Sequence, residues 1–174
     1  GQGEIEKQQL VAHAIGIIRE GQIAYLKGYG WADREKQSPA THQTVFNWAS
    51  NSKALAAVAA FQLVEQKKLD LDADVRTYVP EFPDKGVVIT TRQLLCHQSG
   101  IPHYSNGQII PTDAQYDKPL PFLDPINSLN KFNRSPLIFA PGTKANYSTH
   151  AYILLSAVIQ RAGGEPYGDQ LRKR

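Results

Sequence analysis

The sequence of 174 residues predicts an α+β fold, in which an N-terminal β-hairpin of an antiparallel sheet precedes a helical lobe. Three observations lead to this prediction. Two runs rich in β-branched and aromatic residues flank a tight-turn signal at Gly21. An Ala- and Leu-rich run without Gly or Pro begins at residue 54. A later apolar run, residues 152–162, has the spacing of an amphipathic helix.

The hairpin is predicted over residues 14–26, where the turn residues Glu20-Gly21-Gln22 separate the two β-rich runs. The glycine-containing segment 28–33 follows, and we expect it to bend and leave the sheet. Two strands alone are marginally stable in water. We therefore expect the hairpin to need further strands, which the rest of this sequence hardly offers.

The first predicted helix covers residues 54–64 and is apolar on nearly every face, so we expect most of it to be buried. The second is short and begins with the capping-box signature of Thr90 and Gln93. It runs through Cys96, expected to be a buried apolar residue, and stops at Gly100.

The third predicted helix, residues 152–162, is capped by Ser148 or Thr149 and ends at the glycine pair 163–164. Pro166 is well placed to begin another helix, and nothing in the sequence ends that helix. We therefore interpret the C-terminus as a truncation.

Composition excludes several classes of function. Apolar residues make up 41% and charged residues 20%, as in ordinary globular proteins. The longest apolar run, residues 54–61, is far shorter than the roughly 18 residues of a membrane span, so no membrane span is predicted. The net charge of +3 is not arranged in a basic stripe, so no nucleic-acid partner is expected.

Metal and cofactor sites are not predicted either. Cys96 is the single cysteine, which excludes an intrachain disulfide and a multi-cysteine zinc site. His13, His42 and His150 have no ligand spacing with each other or with acidic residues. We therefore expect no metal and no cofactor.

Ser50 and Lys53 lie three residues apart at the start of the Ala-rich helix, which places both side chains on one face. A serine hydroxyl becomes a nucleophile when a nearby base removes its proton, and a neutral lysine amine can be that base. The helix N-terminus would stabilise negative charge on a substrate oxygen. Ser50 as a helix-capping serine with a solvated lysine is the alternative, and the pattern occurs again at Ser128 and Lys131, within the Pro-rich stretch 101–140.

Four stretches together resemble the serine β-lactamase and penicillin-binding protein superfamily. The hairpin through residue 33 resembles its opening strands, and Asn47-Trp48-Ala49-Ser50-Asn51-Ser52-Lys53 resembles its nucleophile motif. Residues 94–102 resemble the signature Leu-Leu-x-His-x-Ser-Gly-Leu-Pro, and residues 141–149 resemble the segment with the second motif, Tyr-x-Asn. The chain looks closest to class C β-lactamases, DD-peptidases and family VIII esterases, and among these to the mitochondrial β-lactamase-like proteins and their bacterial relatives.

The resemblance implies a role for each matching residue. Ser50 becomes the acylated nucleophile, Lys53 the base that activates it, and Tyr147 the residue that protonates the leaving group. Tyr147 as a buried, hydrogen-bonded tyrosine is the alternative. Thr149 stands where the family often has an Asn that contacts the substrate amide, which puts β-lactam turnover in doubt more than acylation, because Thr makes fewer hydrogen bonds.

Three further residues are weaker candidates. His103 and Tyr104 could line the substrate cleft, since loop residues beside a site often contact the ligand. His97 belongs to a segment that is structural in the family, where it ends a helix that packs near the site. A histidine at a helix C-terminus also has a plain structural use.

The resemblance implies a β-lactamase/transpeptidase-like fold whose C-terminal strands, third motif (Lys/His-x-Gly) and one oxyanion N–H would follow this chain. We expect one partial domain over residues 1–174, with N-terminal strands in 1–48, a helical lobe in 49–164 and the start of a helix in 165–174. The C-terminal remainder of the fold would be a partner, and the chain alone would be weak or inactive.

The function implied is a serine hydrolase that acts through an acyl-enzyme on a β-lactam, a D-amino-acid peptide or an ester carbonyl. Its partner would be a small-molecule or peptide substrate. A non-catalytic penicillin-binding or assembly protein is the alternative. The family resemblance implies a periplasmic or secreted location, and a cytoplasmic one stays open.

Overall fold

The computed structural model describes residues 10–112 and 124–173, together with Gly3 and Lys7. Residues 113–123 of the Pro-rich stretch lie outside the described residues, as does the terminal Arg174. The chain divides into two compact units, Gly1–Ala49 and Ser50–Arg174.

The first unit is an antiparallel sheet, with three strands in the order β1-β2-β3 within the described residues. These are β1 (Ala12–Arg19), β2 (Gln22–Asp33) and β3 (Ser38–Pro39). Glu20 and Gly21 connect β1 to β2 with φ of 54° and 75°, the left-handed pair typical of a type I′ turn. The predicted hairpin is thus confirmed.

The segment after Gly28 does not leave the sheet as expected. β2 continues to Asp33, because the chain folds back and the Ala40 amide donates to the Gly30 carbonyl at 2.8 Å. A Cβ on Gly28 would lie 2.5 Å from the backbone of Thr41. Glycine is therefore required at residue 28 by the close approach of residues 40–41.

Apolar side chains of the hairpin remain exposed. Ile18 and Ile23 expose 73% and 67% of their surface, and the two-residue β3 pairs with β2 only near its end. The requirement for further strands stays a prediction.

The second unit is helical. Its helices are α1 (Ser52–Glu65), α2 (Thr91–Leu95), α3 (Pro125–Ser128), α4 (Thr149–Gly163) and α5 (Tyr167–Arg172). Single 3-10 turns occur at Ala49–Asn51, Val75–Thr77 and Leu129–Lys131. The described helices include none long and apolar enough to cross a membrane.

The core of this unit forms where α1 packs against α4. α1 contributes small side chains, Ala56, Ala59 and Ala60, which let the two helices approach closely. Leu154 and Leu155 of α4 are fully buried opposite them. This packing fixes the start of α1 relative to the start of α4.

α1 is not mostly buried, contrary to expectation. Only its Ala and Leu63 face is buried, whereas Leu55, Val58 and Phe61 each expose about half of their surface. The helix lies against α4 and α5 along one side, so one apolar face remains open to solvent.

α2 begins as predicted, with both hydrogen bonds of the capping box between Thr90 and Gln93. It ends earlier than predicted, at Leu95, because His97 has left-handed backbone with φ of 57°. The His97 amide donates to Leu94 and the Gln98 amide to Gln93, which is the Schellman arrangement of a helix end. Cys96, which was expected to be buried, is exposed beyond this end.

α4 starts at Thr149, three residues earlier than predicted, because the Ser148 hydroxyl accepts from the Ala151 amide and caps the helix there. The predicted end is confirmed, with Gly164 in left-handed backbone. α5 begins directly after Pro166, as the position of this proline predicts.

Candidate active site

Two polar side chains meet at the Ser50 hydroxyl, one from the next helical turn and one from a distant part of the second unit. The Tyr147 hydroxyl lies 2.5 Å from the Ser50 Oγ. The Lys53 Nζ donates to the same Oγ at 3.3 Å. The structure therefore brings together the three residues predicted to be catalytic, in the mutual arrangement that a nucleophile and its base require.

Ser50 lies in the 3-10 turn before α1, not in the first turn of the α-helix itself. The preceding residue, Ala49, has left-handed backbone with φ of 46°, a conformation that costs an L-residue about 1–2 kcal/mol. Lys53 follows one turn later on the same side. The strained turn thus presents the serine hydroxyl at the N-terminal end of α1, where the helix dipole is positive.

The electrostatics of the site lower the pKa of the Tyr147 hydroxyl. Hydrogen bonding to Lys53 is the largest effect that lowers the Tyr147 pKa from its ordinary value, followed by hydrogen bonding to Ser50. Desolvation opposes this shift, and Thr149 adds a smaller lowering effect. The Lys53 Nζ also lies 4.8 Å from the centre of the Tyr147 ring. These contacts make the Tyr147 hydroxyl more acidic than that of a free tyrosine.

Thr149 is the first residue of α4, on the side of Tyr147. Its amide donates to the His103 Nδ1 at 3.2 Å, and its hydroxyl lies among the groups that lower the Tyr147 pKa. The predicted role of Thr149 in binding substrate stays a proposal.

His103 and Tyr104 differ in exposure, although their ring centroids are only 3.6 Å apart. His103 exposes 9% of its surface and accepts a hydrogen bond from α4, whereas Tyr104 exposes 69%. Tyr104 is therefore accessible to a ligand, while the Nδ1 of His103 is occupied by the backbone.

His97 is the residue whose place in the site the sequence reasoning missed. Its Nδ1 accepts from the Ser148 amide at 3.2 Å, and its ring centroid lies 4.7 Å from that of Tyr147. The sequence contains part of the evidence for this contact, because His97 and Tyr147 each lie in a stretch that resembles a family motif. The hydrogen bond from Ser148 to His97 spans 51 residues, and no local pattern predicts a contact over that separation.

The second Ser-x-x-Lys pair has different surroundings within the part of the chain that the structure describes. Ser128 is buried at the end of α3, where its hydroxyl donates to the Asp124 carbonyl at 3.1 Å. Lys131 follows in a 3-10 turn. Ser128 therefore serves the local backbone, which separates it from Ser50.

The described residues contain no group of three or more His, Cys, Asp or Glu side chains that could hold a metal ion. The groups that the structure places at Ser50 are its own hydroxyl, the Lys53 amine, the Tyr147 phenol and the backbone dipole of α1.

The sequence model of the family described as Beta-lactamase matches residues 2–174. The chain belongs to the beta-lactamase family. The mouse mitochondrial serine beta-lactamase-like protein LACTB is 31% identical in an alignment of 227 residues, gaps included. This alignment covers 91% of this chain and 41% of that protein. Esterase EstB of Burkholderia gladioli is 32% identical and is covered over 43% of its length, with 93% of this chain included. The chain thus spans about two fifths of the length of these beta-lactamase-family relatives.

Solved structures show the same fold. EstCE1, described as a hydrolase with promiscuous acyltransferase activity, superimposes with a TM-score of 0.81 at 28% identity. The match covers 98% of this chain and 47% of EstCE1. The β-lactamase/transpeptidase-like fold inferred from the motifs is therefore confirmed for this beta-lactamase-family chain.

Proposed function

We propose that the protein is a serine hydrolase that acts through an acyl-enzyme on an ester, a D-amino-acid peptide or a β-lactam carbonyl. The observation that carries the proposal is the convergence of the Tyr147 hydroxyl and the Lys53 amine on the Ser50 Oγ, at 2.5 and 3.3 Å. A helix-capping serine does not need a phenol and an amine on its hydroxyl, so this arrangement favours nucleophilic catalysis.

In the proposed acylation step, the Ser50 Oγ attacks the substrate carbonyl carbon, and a new C–O bond forms. The Ser50 proton passes to the lone pair of Lys53, which acts in this step as the neutral amine and becomes an ammonium group. As the tetrahedral intermediate collapses, the bond to the leaving group breaks, and Tyr147 delivers a proton to the leaving atom. Water then attacks the acyl carbon and gives a proton to the Tyr147 oxygen. The bond between Oγ and the acyl carbon breaks, Lys53 returns its proton to the Ser50 Oγ, and the acid product leaves.

The developing oxyanion needs hydrogen-bond donors. We assign one of them to the Ser50 amide at the positive end of α1, where the dipole favours negative charge. By the family resemblance, the second donor and the third motif would belong to the C-terminal remainder of the fold, the partner expected for this chain. Loss of one oxyanion donor costs about 100- to 1000-fold in rate.

Among the three substrate classes we favour an ester. The Thr149 side chain has a single hydroxyl, so it can make fewer hydrogen bonds to a substrate amide than an Asn side chain can. An ester substrate has no N–H group and needs fewer hydrogen bonds from this residue. Two relatives described above are named as an esterase and as a hydrolase with acyltransferase activity. The substrate would be a small molecule or peptide met in the periplasm or outside the cell, as the family resemblance implies.

The test is covalent labelling of the full-length protein that contains this chain. A fluorophosphonate probe and a fluorescent penicillin should label the wild type, and the Ser50→Ala variant should lose the label. The Ser128→Ala variant is the matched control and should keep it. Hydrolysis of a p-nitrophenyl ester should follow the same pattern. Labelling that survives Ser50→Ala would overturn the mechanism, and a wild type that neither labels nor hydrolyses would favour the non-catalytic alternative.

A further inference from the structure

We propose that His97 and His103 are positioning residues that hold the Tyr147 hydroxyl at Ser50 by accepting the first hydrogen bonds of α4. The chemical role of Tyr147 at Ser50, which is proton transfer, rests on the proposed function. The placement of Tyr147 is a matter of geometry, which can be tested separately.

The amides directly after Tyr147 are oriented by two imidazoles. The Ser148 amide donates to the Nδ1 of His97 and the Thr149 amide to the Nδ1 of His103, both at 3.2 Å. The first amides of a helix have no partner within it and must find one outside. Here the partners are side chains from two other segments, so the direction in which residue 147 enters α4 is fixed from both.

His97 holds the segment at two points. Its carbonyl accepts from the Asn146 amide at 2.9 Å, while its Nδ1 accepts from the Ser148 amide. Tyr147 lies between these anchors, with its ring centroid 4.7 Å from the imidazole. Movement of the backbone at residue 147 away from Ser50 would break both hydrogen bonds together.

The left-handed backbone conformation of His97 also supports a positioning role for this residue. It occupies the left-handed position that ends α2 in a Schellman arrangement, where glycine is usual. A glycine would satisfy the helix end without strain, yet it would supply no acceptor for the Ser148 amide. Strained non-glycine residues persist where their surroundings hold them and where they serve a function.

His103 is held in turn by the loop that carries it. Its amide donates to the Asn106 Oδ1 at 2.6 Å, and the Asn106 Nδ2 donates to the Asn146 Oδ1 at 2.7 Å. The His103 ring meets the Tyr147 ring edge-on, with centroids 5.3 Å apart. The loop, the histidine and the entry to α4 therefore form one connected set of hydrogen bonds.

The hydrogen bonds from the Ser148 and Thr149 amides require both imidazoles to be neutral, with the proton on Nε2, because each Nδ1 is an acceptor. Desolvation and the Lys53 charge lower the pKa of both histidines, which favours the neutral form. The titratable groups that face His97 are Lys53, His103, Tyr147 and Tyr152. Those that face His103 are Lys53, His97, Tyr104, Tyr147 and His150.

The decisive experiment compares His97→Gly with His97→Asn in the full-length protein, using p-nitrophenyl ester hydrolysis. Glycine accepts the left-handed backbone but removes the acceptor, so kcat should fall about 10- to 100-fold with KM and the melting temperature little changed. Asparagine tolerates the same backbone and places Oδ1 near the position of Nδ1, so kcat should return to within a few-fold of wild type.

The pair His103→Leu and His103→Asn applies the same logic to the second contact, and the leucine variant should lose kcat while the asparagine variant recovers it. A glycine variant at residue 97 with wild-type kcat would overturn the proposal. An asparagine variant as slow as the glycine variant would overturn it too, because the hydrogen bond would then not be the cause.

The imidazole ¹⁵N NMR spectrum separates this proposal from the proposed function. His97 and His103 should both show the Nε2–H tautomer at neutral pH in the unreacted protein. That result, together with a wild type that is never acylated, would support the geometry and reject the hydrolase. An Nδ1–H tautomer at either residue would overturn the positioning role even in an active enzyme.

Discussion

The Tyr147 hydroxyl lies 2.5 Å from the Ser50 Oγ, although 97 positions separate the two residues in the sequence. One residue precedes α1 and the other precedes α4. The Ala-rich face of α1 packs closely on α4 and sets the distance between these two starts. Core packing thereby brings the starts of the two helices, and with them Ser50 and Tyr147, close together.

Removal of the Tyr147 hydroxyl should lower the rate of acyl transfer. The Tyr147→Phe variant keeps the ring and its contacts with His97, so we expect the melting temperature to stay close to that of the wild type. Loss of a group that transfers protons typically costs about 100- to 10,000-fold. Steady-state hydrolysis of a p-nitrophenyl ester measures the effect, and a fall of less than threefold would argue against a role for the phenol.

Removal of the Lys53 amine should slow acylation and also change Tyr147. In Lys53→Met the largest cause of the lowered Tyr147 pKa is gone, so that pKa should rise toward its ordinary value. The ¹³Cζ resonance of labelled tyrosine, followed against pH, measures this shift. Lys131→Met, from the second Ser-x-x-Lys pair, is the matched control, and a shift of the Tyr147 resonance in that variant would contradict the assignment.

Acid should destabilise the protein partly through His150. Its buried ring bonds the Pro102 carbonyl at 2.8 Å, and desolvation lowers its pKa in the folded state. The unfolded chain therefore takes up the proton first as the pH falls. The free energy of unfolding is fully retained above pH 6.5, the ordinary value for histidine, and decreases below it. Desolvation also lowers the pKa of His97 and of His103, so these residues contribute to the same decrease in the free energy of unfolding at acidic pH.

Denaturant unfolding at several pH values between 7.5 and 5 tests this expectation. His150→Asn should make the decrease shallower, because one titrating group is gone. The ring of His150 also stacks on Phe132 at 4.6 Å, so the variant loses packing as well. Phe132→Leu removes that packing without removing the titration and should keep the wild-type slope. Equal slopes in the wild type and His150→Asn would contradict the prediction.

Gly28→Ala should destabilise the protein, because the added Cβ would lie 2.5 Å from the Thr41 backbone. Forced shifts of packed backbone cost about 1–3 kcal/mol. Gly16→Ala is the control from the same hairpin, since its Cβ would meet the end of the Leu26 side chain at an ordinary 3.5 Å. Thermal unfolding of the two variants compares them, and equal melting temperatures would show that residues 40–41 can move aside.

The sequence by itself was sufficient for what depends on neighbouring residues. The turn at Gly21, the capping box at Thr90 and the glycine end of α4 follow from short-range hydrogen bonds and backbone preferences, and all three are present. The order of four motif-like segments was also sufficient to indicate the fold, which the comparisons confirm.

The tertiary structure decided what depends on distant residues. Nothing in Leu-Cys-His-Gln predicts that His97 ends α2 in left-handed backbone, because glycine usually occupies that position. Neither histidine could be assigned to the start of α4, since those hydrogen bonds span 51 and 46 residues. The exposed face of α1 was likewise hidden, because an all-apolar helix gives no periodic signal to show which side is buried. Which polar atoms meet at Ser50 is decided by the packing of α1 on α4, and packing between distant segments leaves no local pattern in the sequence.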